Sequence, residues 1–477
     1  MKNNLDKEII NLTERFYDHV KLNPYEQVLR IDGENLTYQD LAEQITHFRN
    51  EFRHHKITAE MNVLLMIPMS KNLVILLLAL MAEGCTPVLI DPRLGLSRVK
   101  KALKTESIKV IFSVPEFFKL KWIWPSLWFK KLFTLNQSAL GVKHFKPQSS
   151  LQNVDFQMHH NHEAQINLIT MTSGTTGEAK VIRRLFSVMK HQQLYSIKYL
   201  YPLTIDRHLA FYPISILQSL IQGAQTYYLR EDHLDAFIQL CQTEGITRLS
   251  GPPQVLLNIC QILEDSGLKI LSLKHILLGG AAIPRWLVQR LKNNFPHARV
   301  QIMYGATECE PISACWDETY LKSSNSGYCL GQLLPELTAQ WNFYGQIKSY
   351  KIEELVLSGD NVVHGTFKTG DLFYTDSAHQ IWFVGRKSEA VDQIPIGLIE
   401  EPLEGLDHVK RVAFSKIKNQ YYCFVETFEN KSLSEPEIYE HFKFWGFDKV
   451  IIKHIAKIPV DIRHGWKIQR HLLVDLI

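Results

Sequence analysis

The apolar positions of this chain fall into short runs, most of them closed by glycine or proline. NVLLMIP (62–68) and PVLIDP (87–92) read as strands, and NLVILLLALMA (72–82) between them reads as a buried helix. Strand, helix and strand within about thirty residues make a βαβ unit, which pairs its strands in parallel. The same rhythm returns at INLITM (166–171), HLAFYP (208–213), ITRLSGPP (246–253), HILLGG (275–280) and VQIMYG (300–305). An α/β fold of stacked layers is therefore predicted, with ligands expected at the carboxyl ends of its strands. Residues 1–60 read as helical, led by the helical spacing in LTYQDLAEQITHFRNEF (36–52). Past about residue 330 the pattern shortens and alternates, as in IKSYKIEELVLSG (347–359) and QIWFVG (380–385), which predicts an antiparallel subdomain. The last ninety or so residues read as a small α+β unit. We place a domain over 1–385, a second over 386–477, and a hinge at 386–389.

Composition narrows the class. At roughly 150 residues per domain, 477 residues make about three domain-sized units, or one large and one small lobe. A hydrophobic fraction of 45% with 21% charged residues is that of a globular protein and excludes disordered, collagen-like and coiled-coil chains. The net charge of +4 is spread without a dominant basic block, so no nucleic-acid partner is implied. Seven cysteines without a CxxC pair suit a reducing cytoplasm better than a disulfide framework or a zinc knuckle. MKNNLDKEII lacks the apolar core of a signal peptide. The 72–82 run is shorter than the ~20 residues that span a bilayer, so a cytoplasmic location is expected. His159, His160 and His162 read as a solvated linker and not as metal ligands. PEFFKLKWIWPSLWFKKLF (115–133) stands apart, with seven Phe or Trp residues and four lysines. It reads either as an aromatic surface element broken by Pro125 or as a peripheral membrane contact.

The strongest chemical signal is Met171-Thr-Ser-Gly-Thr-Thr-Gly-Glu-Ala-Lys180, directly after an apolar strand. Gly174 and Gly177 let the backbone turn and point several N–H groups at one anion. Thr172, Ser173, Thr175 and Thr176 add hydroxyl groups, and Lys180 adds a positive charge. Such a loop is a polyphosphate cradle. It is not a Walker A loop, because Ala179 and Val181 flank the lysine.

In this loop, and in Gly279-Gly280-Ala281, Tyr304-Gly305-Ala306-Thr307-Glu308, Thr369-Gly370-Asp371, Gly385-Arg386 and Lys467-Ile-Gln-Arg470, the chain resembles the adenylate-forming superfamily of acyl-CoA synthetases, luciferases and peptide-synthetase adenylation domains. The resemblance implies a multi-layer α/β large lobe with a small barrel-like part and a mobile α+β C-terminal lobe. It also implies an ATP- and Mg²⁺-dependent ligase that converts a carboxylic acid to an acyl-adenylate. By resemblance Thr172–Gly177 and Lys180 would hold the β- and γ-phosphates, Glu308 and Thr175 would hold Mg²⁺, and Thr307 would touch the α-phosphate. Gly280, Ala281, Tyr304, Gly305, Ala306 and Phe383 would surround the nucleoside. Asp371 would accept the ribose hydroxyls, Arg386 would fix the ribose, and Lys467 would meet the negative charge that builds on the α-phosphate and acyl oxygen. Lys467, Thr307 and Lys180 are the expected catalytic groups.

The departures from that pattern bear on the second step. Ala179-Lys180-Val181 replaces the usual Pro-Lys-Gly, and Pro395 stands where a glycine usually lets pantetheine approach, with Gly397 two residues on. Ser215 and Ile216 stand where coenzyme A ligases often carry a histidine. PVLIDPRLGLSRVKKAL (87–103), IWFVGRKSEAV (381–391) and PVDIRHGWKIQR (459–470) resemble the β-lactone synthetases of bacterial olefin biosynthesis, a subgroup often labelled fatty-acid–CoA ligase. Three readings follow. The adenylate of a long-chain 3-hydroxy fatty acid closes on itself to a β-lactone; or the acyl group passes to coenzyme A or an acyl-carrier protein; or the chain binds ATP without turnover.

Overall fold

The computed structural model describes residues 8–90, 95–135, 140–146, 153–173, 179–200, 205–322, 325–428, 431, 435–461 and 465–477. It divides into two compact units: Met1–Ser250 with Thr307–Glu310 and Asp360–Val363, and Gly251–Ala306 with Pro311–Gly359 and His364–Ile477.

In the first unit, helix α1 (Glu14–Leu22) leads into a hairpin of β1 (Gln27–Ile31) and β2 (Glu34–Thr37), followed by helix α2 (Tyr38–His54). The hairpin corrects the all-helical reading of residues 1–60. Asp32 and Gly33 at its turn have φ of 54° and 80°. Asp-Gly between apolar runs is a strong hairpin signal, and here it outweighs the helical spacing on either side. Thr37 then caps α2 by accepting from the Asp40 N–H, while the Asp40 carboxylate accepts from the Thr37 N–H.

β3 (Asn62–Met66), helix α3 (Lys71–Ala82) and β4 (Thr86–Leu89) form the predicted βαβ unit. With β5 (Ile108–Ser113), β6 (Lys131–Thr134), β7 (Lys143–His144), β8 (Ile166–Ser173) and β9 (Ala179–Leu185) they make a seven-stranded sheet in the order β7-β6-β5-β3-β4-β8-β9. Every pair in it is parallel except β8 with β9. β10 (Arg207–Ala210), β11 (Gln225–Tyr227) and β12 (Arg248–Ser250) join the hairpin in the order β12-β10-β11-β1-β2. α3 is apolar all round because it shares one core with β3 and β5, with β1 and with the helix Pro213–Gln222. The opposite face of the seven-stranded sheet packs Leu64, Val88 and Ile111 against Val99 and Ala102 of the helix Leu96–Thr105.

In the second unit the helix Pro253–Ser266 precedes β13 (His275–Gly279) and β14 (Arg299–Ala306), which pair in parallel. β15 (Cys309–Trp316), β16 (Tyr328–Cys329), β17 (Gln332–Leu333), β18 (Thr338–Ile347), β19 (Tyr350–Ser358), β20 (Thr366–Thr375) and β21 (Ile381–Arg386) follow. The alternating region becomes an antiparallel sheet ordered β16-β21-β20-β19-β18. β22 (Val409–Ile417), β23 (Gln420–Thr427) and β24 (Val450–His454) form a three-stranded sheet alongside the helices Gly397–Glu404 and Glu435–Phe444. All seven cysteines are free and buried. Among the described residues no helix is long and apolar enough to cross a membrane.

Candidate active site

Two clusters of predicted residues form, one in each unit. In the first unit Lys180 on β9 stands opposite Thr172 on β8, and Ala179 opposite Ser173. The two strands that flank the predicted phosphate loop are thus an antiparallel pair, and the loop follows the carboxyl end of β8, which runs parallel to β4. Gly174, Thr175, Thr176 and Gly177 lie outside the described residues, and the metal role expected of Thr175 lies there with them.

Lys180 Nζ donates to Glu308 Oε1 at 2.6 Å, joining two predicted residues that lie 128 apart in the chain. The Glu308 side chain is 15% exposed and that of Lys180 58%. Backbone contacts hold the segment around Glu308. Its carbonyl accepts from the Val363 N–H at 2.8 Å, Cys309 bridges to Val362, and the Thr307 carbonyl accepts from Arg184 Nε at 3.0 Å. A half-buried carboxylate facing one exposed ammonium suits a hard divalent ion, which takes one or two carboxylates together with phosphate oxygens and water.

In the second unit the glycine turn and the tyrosine motif meet because β13 and β14 are adjacent parallel strands, with Gly279 opposite Met303. A Cβ at Gly279 would stand 2.5 Å from the Met303 carbonyl oxygen, and Gly280 has φ of 82°. Close approach demands the first glycine and a left-handed backbone the second. Gly280 and Ala281 therefore leave the sheet beside Tyr304, Gly305 and Ala306.

Tyr304 Oη donates to Asp371 Oδ2 at 2.7 Å, and its ring meets Phe373 edge-on at 5.7 Å between centroids. Phe373 in turn packs on Phe383 at 5.8 Å. Asp371 pairs across the strands with Arg386, whose Nε lies 3.4 Å from Asp371 Oδ1. Oδ1 itself is buried and accepts no hydrogen bond from the described residues. Burial pushes the Asp371 carboxyl above its ordinary range, opposed by Arg386, the Tyr304 hydroxyl and the charge of Lys467. A buried carboxylate oxygen that faces a guanidinium without accepting a hydrogen bond can still take one from a hydroxyl donor.

Lys467 is exposed, and its backbone is firmly held. Asp461 Oδ1 accepts the N–H of Lys467 at 2.8 Å and that of Trp466 at 3.3 Å, while the Lys467 carbonyl accepts from the Asp461 N–H. The buried Trp466 donates its indole N–H to the Ala282 carbonyl at 2.9 Å and lies under the Arg411 guanidinium. On the other side Arg470 pairs with the buried Glu400 at 2.7 Å. These bonds fix Lys467 next to the turn that carries Gly280 and Ala281. Sequence reading passed over Asp461 and Trp466. A tryptophan next to a key lysine was the available sign, since a buried indole N–H seeks an acceptor.

Trp466→Phe removes that anchor while keeping most of the ring. It is expected to cost about 0.5–1.5 kcal/mol of stability and to slow pyrophosphate release with little change in the KM for ATP. Thermal melting and steady-state kinetics check both.

Glu51, His54 and His55 at the end of α2 also have their ligand atoms within reach of one metal ion. His55 Nε2 lies 3.0 Å from Glu51 Oε1; burial first, and then the charges of Lys143 and His54, lower the proton affinity of His55 against the pull of Glu51. Of the three linker histidines, His162 lies 3.4 Å from Glu60 at an exposed position.

Comparison with known proteins bears on the family and the fold. The sequence pattern of the family described as AMP-binding enzyme matches residues 16–340. The 2-succinylbenzoate–CoA ligase of Enterococcus faecalis is 24% identical over 83% of this chain and 83% of its own. The olefin beta-lactone synthetase of Xanthomonas campestris pv. campestris is 23% identical over 92% of this chain and 90% of its own. The O-succinylbenzoate coenzyme A synthetase of Bacillus subtilis, solved with ATP and magnesium ion, shares the fold at a TM-score of 0.75 and 17% identity, over 97% of this chain and 99% of that one. The fold is thus the mixed α/β fold of adenylate-forming enzymes, with a large N-terminal and a small C-terminal domain. A pattern match over most of the chain, together with that fold, makes the protein a member of the AMP-binding enzyme family and an AMP-forming ligase.

Proposed function

We propose that this enzyme activates a long-chain 3-hydroxy fatty acid with ATP and Mg²⁺, and that the acyl-adenylate then closes to a β-lactone. Lys180 and the hairpin tip would take the β- and γ-phosphates. Glu308, released from Lys180 when the lysine turns to phosphate, would hold Mg²⁺; bound there, the ion would neutralise phosphate charge. Asp371 would accept ribose hydroxyls on Oδ1, with Arg386 beside it, and Tyr304, Phe383 and the Gly280–Ala281 turn would flank the nucleoside.

In the first step a carboxylate oxygen of the acid bonds to the α-phosphorus, and the bond from that phosphorus to pyrophosphate breaks. Both reactants are anionic, so alignment and charge stabilisation carry the catalysis. Lys467 would supply that charge. In the second step the 3-hydroxyl oxygen bonds to the acyl carbon, the bond to AMP breaks, and the hydroxyl proton leaves to solvent. The nucleophile is already part of the molecule, so no second substrate has to be held.

The observation that carries the lactone reading is the backbone between Arg386 and the helix at Gly397. Asp392 and Gln393 both take positive φ in a tight turn closed by Val391 and Ile394. Pro395, which offers no N–H, follows at once. A Cβ at Gly397 would meet the Val384 carbonyl at 2.7 Å, so that glycine serves packing within the unit and does not replace an open glycine at 395. This is a poor approach for a pantetheine arm. Likeness to an olefin beta-lactone synthetase over nearly the whole chain supports the same reading. Likeness to a CoA ligase supports the second reading, transfer of the acyl group to a thiol.

The two separate by product. With ATP, Mg²⁺ and a long-chain 3-hydroxy acid but no coenzyme A, mass spectrometry is expected to find a species lighter than the acid by one water, along with AMP and pyrophosphate. A thioester that forms only with coenzyme A, and no dehydrated product, would replace the lactone with the ligase reading.

A further inference from the structure

We propose that a tip of the first unit, built by residues 119–130 and the turn at Leu140–Gly141, docks this enzyme on the surface of an anionic lipid bilayer. The tip exposes Trp122 (73%), Ile123 (68%), Trp128 (59%), Phe129 (89%) and Leu140 (88%). Soluble surfaces scatter single large apolar groups but seldom gather five in one place.

The local fold holds these side chains outward. The short helix Pro115–Phe118 and the 3₁₀ turns Lys119–Trp122 and Pro125–Leu127 bury Phe117, Phe118 and Leu127 against the sheet. Trp128 Nε1 donates to the Lys121 carbonyl at 2.6 Å, tying the two turns together. Lys121 Nζ donates to the Gly141 carbonyl at 3.0 Å, which brings Leu140 to the same tip. Pro125 breaks the element into turns, and the turns point tryptophans and phenylalanine to solvent more compactly than one helix could.

The charge around them selects the occupant. Residues 107–146 contain seven lysines and one acidic residue, Glu116. Burial first, and then the nearby charges of Lys56, Lys143 and Lys109, lower the affinity of Lys131 for a proton. Aromatic side chains rimmed by lysine fit the interface of a bilayer with anionic headgroups, where indole rings settle at the headgroup level and the ammonium groups reach lipid phosphate. A second copy of the chain would set the same excess of lysines against itself.

The tip is also well placed to dock without blocking the phosphate hairpin. Residues 114–130 run from the carboxyl end of β5 to the amino end of β6, and Leu140–Gly141 come just before β7, whereas the hairpin leaves the carboxyl end of β8 in another part of the sheet. β6 and β8 are four strand spacings apart in the sheet, about 19 Å at ~4.8 Å each.

Co-sedimentation of the full chain with vesicles tests this. Binding is expected to vesicles of phosphatidylglycerol and phosphatidylcholine in equal parts, and to fall about tenfold or more on phosphatidylcholine alone or in high salt. The double variant Trp122→Ser, Phe129→Ser should lose about tenfold or more of that binding, and Lys119→Glu, Lys130→Glu a similar amount, with circular dichroism unchanged. If the wild-type chain stays in solution with the mixed vesicles, or if the apolar variant binds like wild type, the proposal fails. It also fails if light scattering without lipid shows an oligomer that the apolar variant dissolves, since the occupant would then be a second copy.

Discussion

Lys467→Ala is expected to lower the rate of pyrophosphate release by about 10²–10³ while leaving ATP affinity within a few-fold of wild type. In the proposed mechanism the lysine acts in the transition state. As the carboxylate approaches the α-phosphorus, negative charge gathers on the transferring group, and an ammonium already in place meets it without waiting for solvent to reorganise. The anchoring bonds make it preorganised: Asp461 binds the Lys467 N–H, and Trp466 binds Ala282. Closure of a preformed acyl-adenylate develops its charge elsewhere, so that step should be less affected. Pre-steady-state pyrophosphate release measures the first step, and chemically made adenylate measures the second. Wild-type pyrophosphate release from the alanine variant would remove Lys467 from the mechanism.

Asp371→Asn is expected to weaken ATP binding by about 10- to 100-fold, the worth of one hydrogen bond to a charged group, without weakening the free protein. The sign follows from burial. In the free protein the Asp371 carboxyl is raised above its ordinary range, chiefly by desolvation. The folded chain then binds this proton more tightly than the unfolded chain does. Its contribution to stability therefore falls as pH rises from the ordinary carboxylate range through the raised value, and stays low above it. Asparagine removes that cost and still accepts from Tyr304, so the melting temperature at neutral pH should equal or exceed that of wild type. Ribose hydroxyls favour the charged form and pull the carboxyl back down. ATP affinity in the wild type should thus rise with pH through the raised value and level off above it, and the asparagine variant should lack this acid limb. Calorimetric titration over pH, with melting curves with and without ATP, reads both effects. An asparagine variant that melts lower and binds ATP as tightly as wild type would contradict both arguments.

Much of the fold is legible in the chain. The βαβ unit at 62–89 appears where its apolar runs predict it, and the alternating stretch past residue 330 becomes the antiparallel sheet. The hairpin at 27–37 departs from the helical reading because Asp32-Gly33 turns the chain between two stretches of helical spacing, and a turn of two residues leaves no mark on that spacing. The motif residues could be named in order, but their pairings could not. Nothing local in Lys180 points to Glu308, and nothing in Tyr304 points to Asp371.

The sequence alone determined most of the local elements, the family and the chemical types of the expected site residues. These depend on near-neighbour sterics, on the spacing of apolar positions and on which side chains can carry charge. The tertiary structure decided which of them meet. Packing of elements from different sheets sets Lys180 against Glu308 and Tyr304 against Asp371; it leaves Asp371 Oδ1 buried with no hydrogen bond from the described residues; and the Trp466 indole bond, with those to Asp461, holds Lys467 near the glycine turn. Such contacts join residues tens to hundreds of positions apart. Their partners are chosen by register and burial, which exist only once the sheets have assembled.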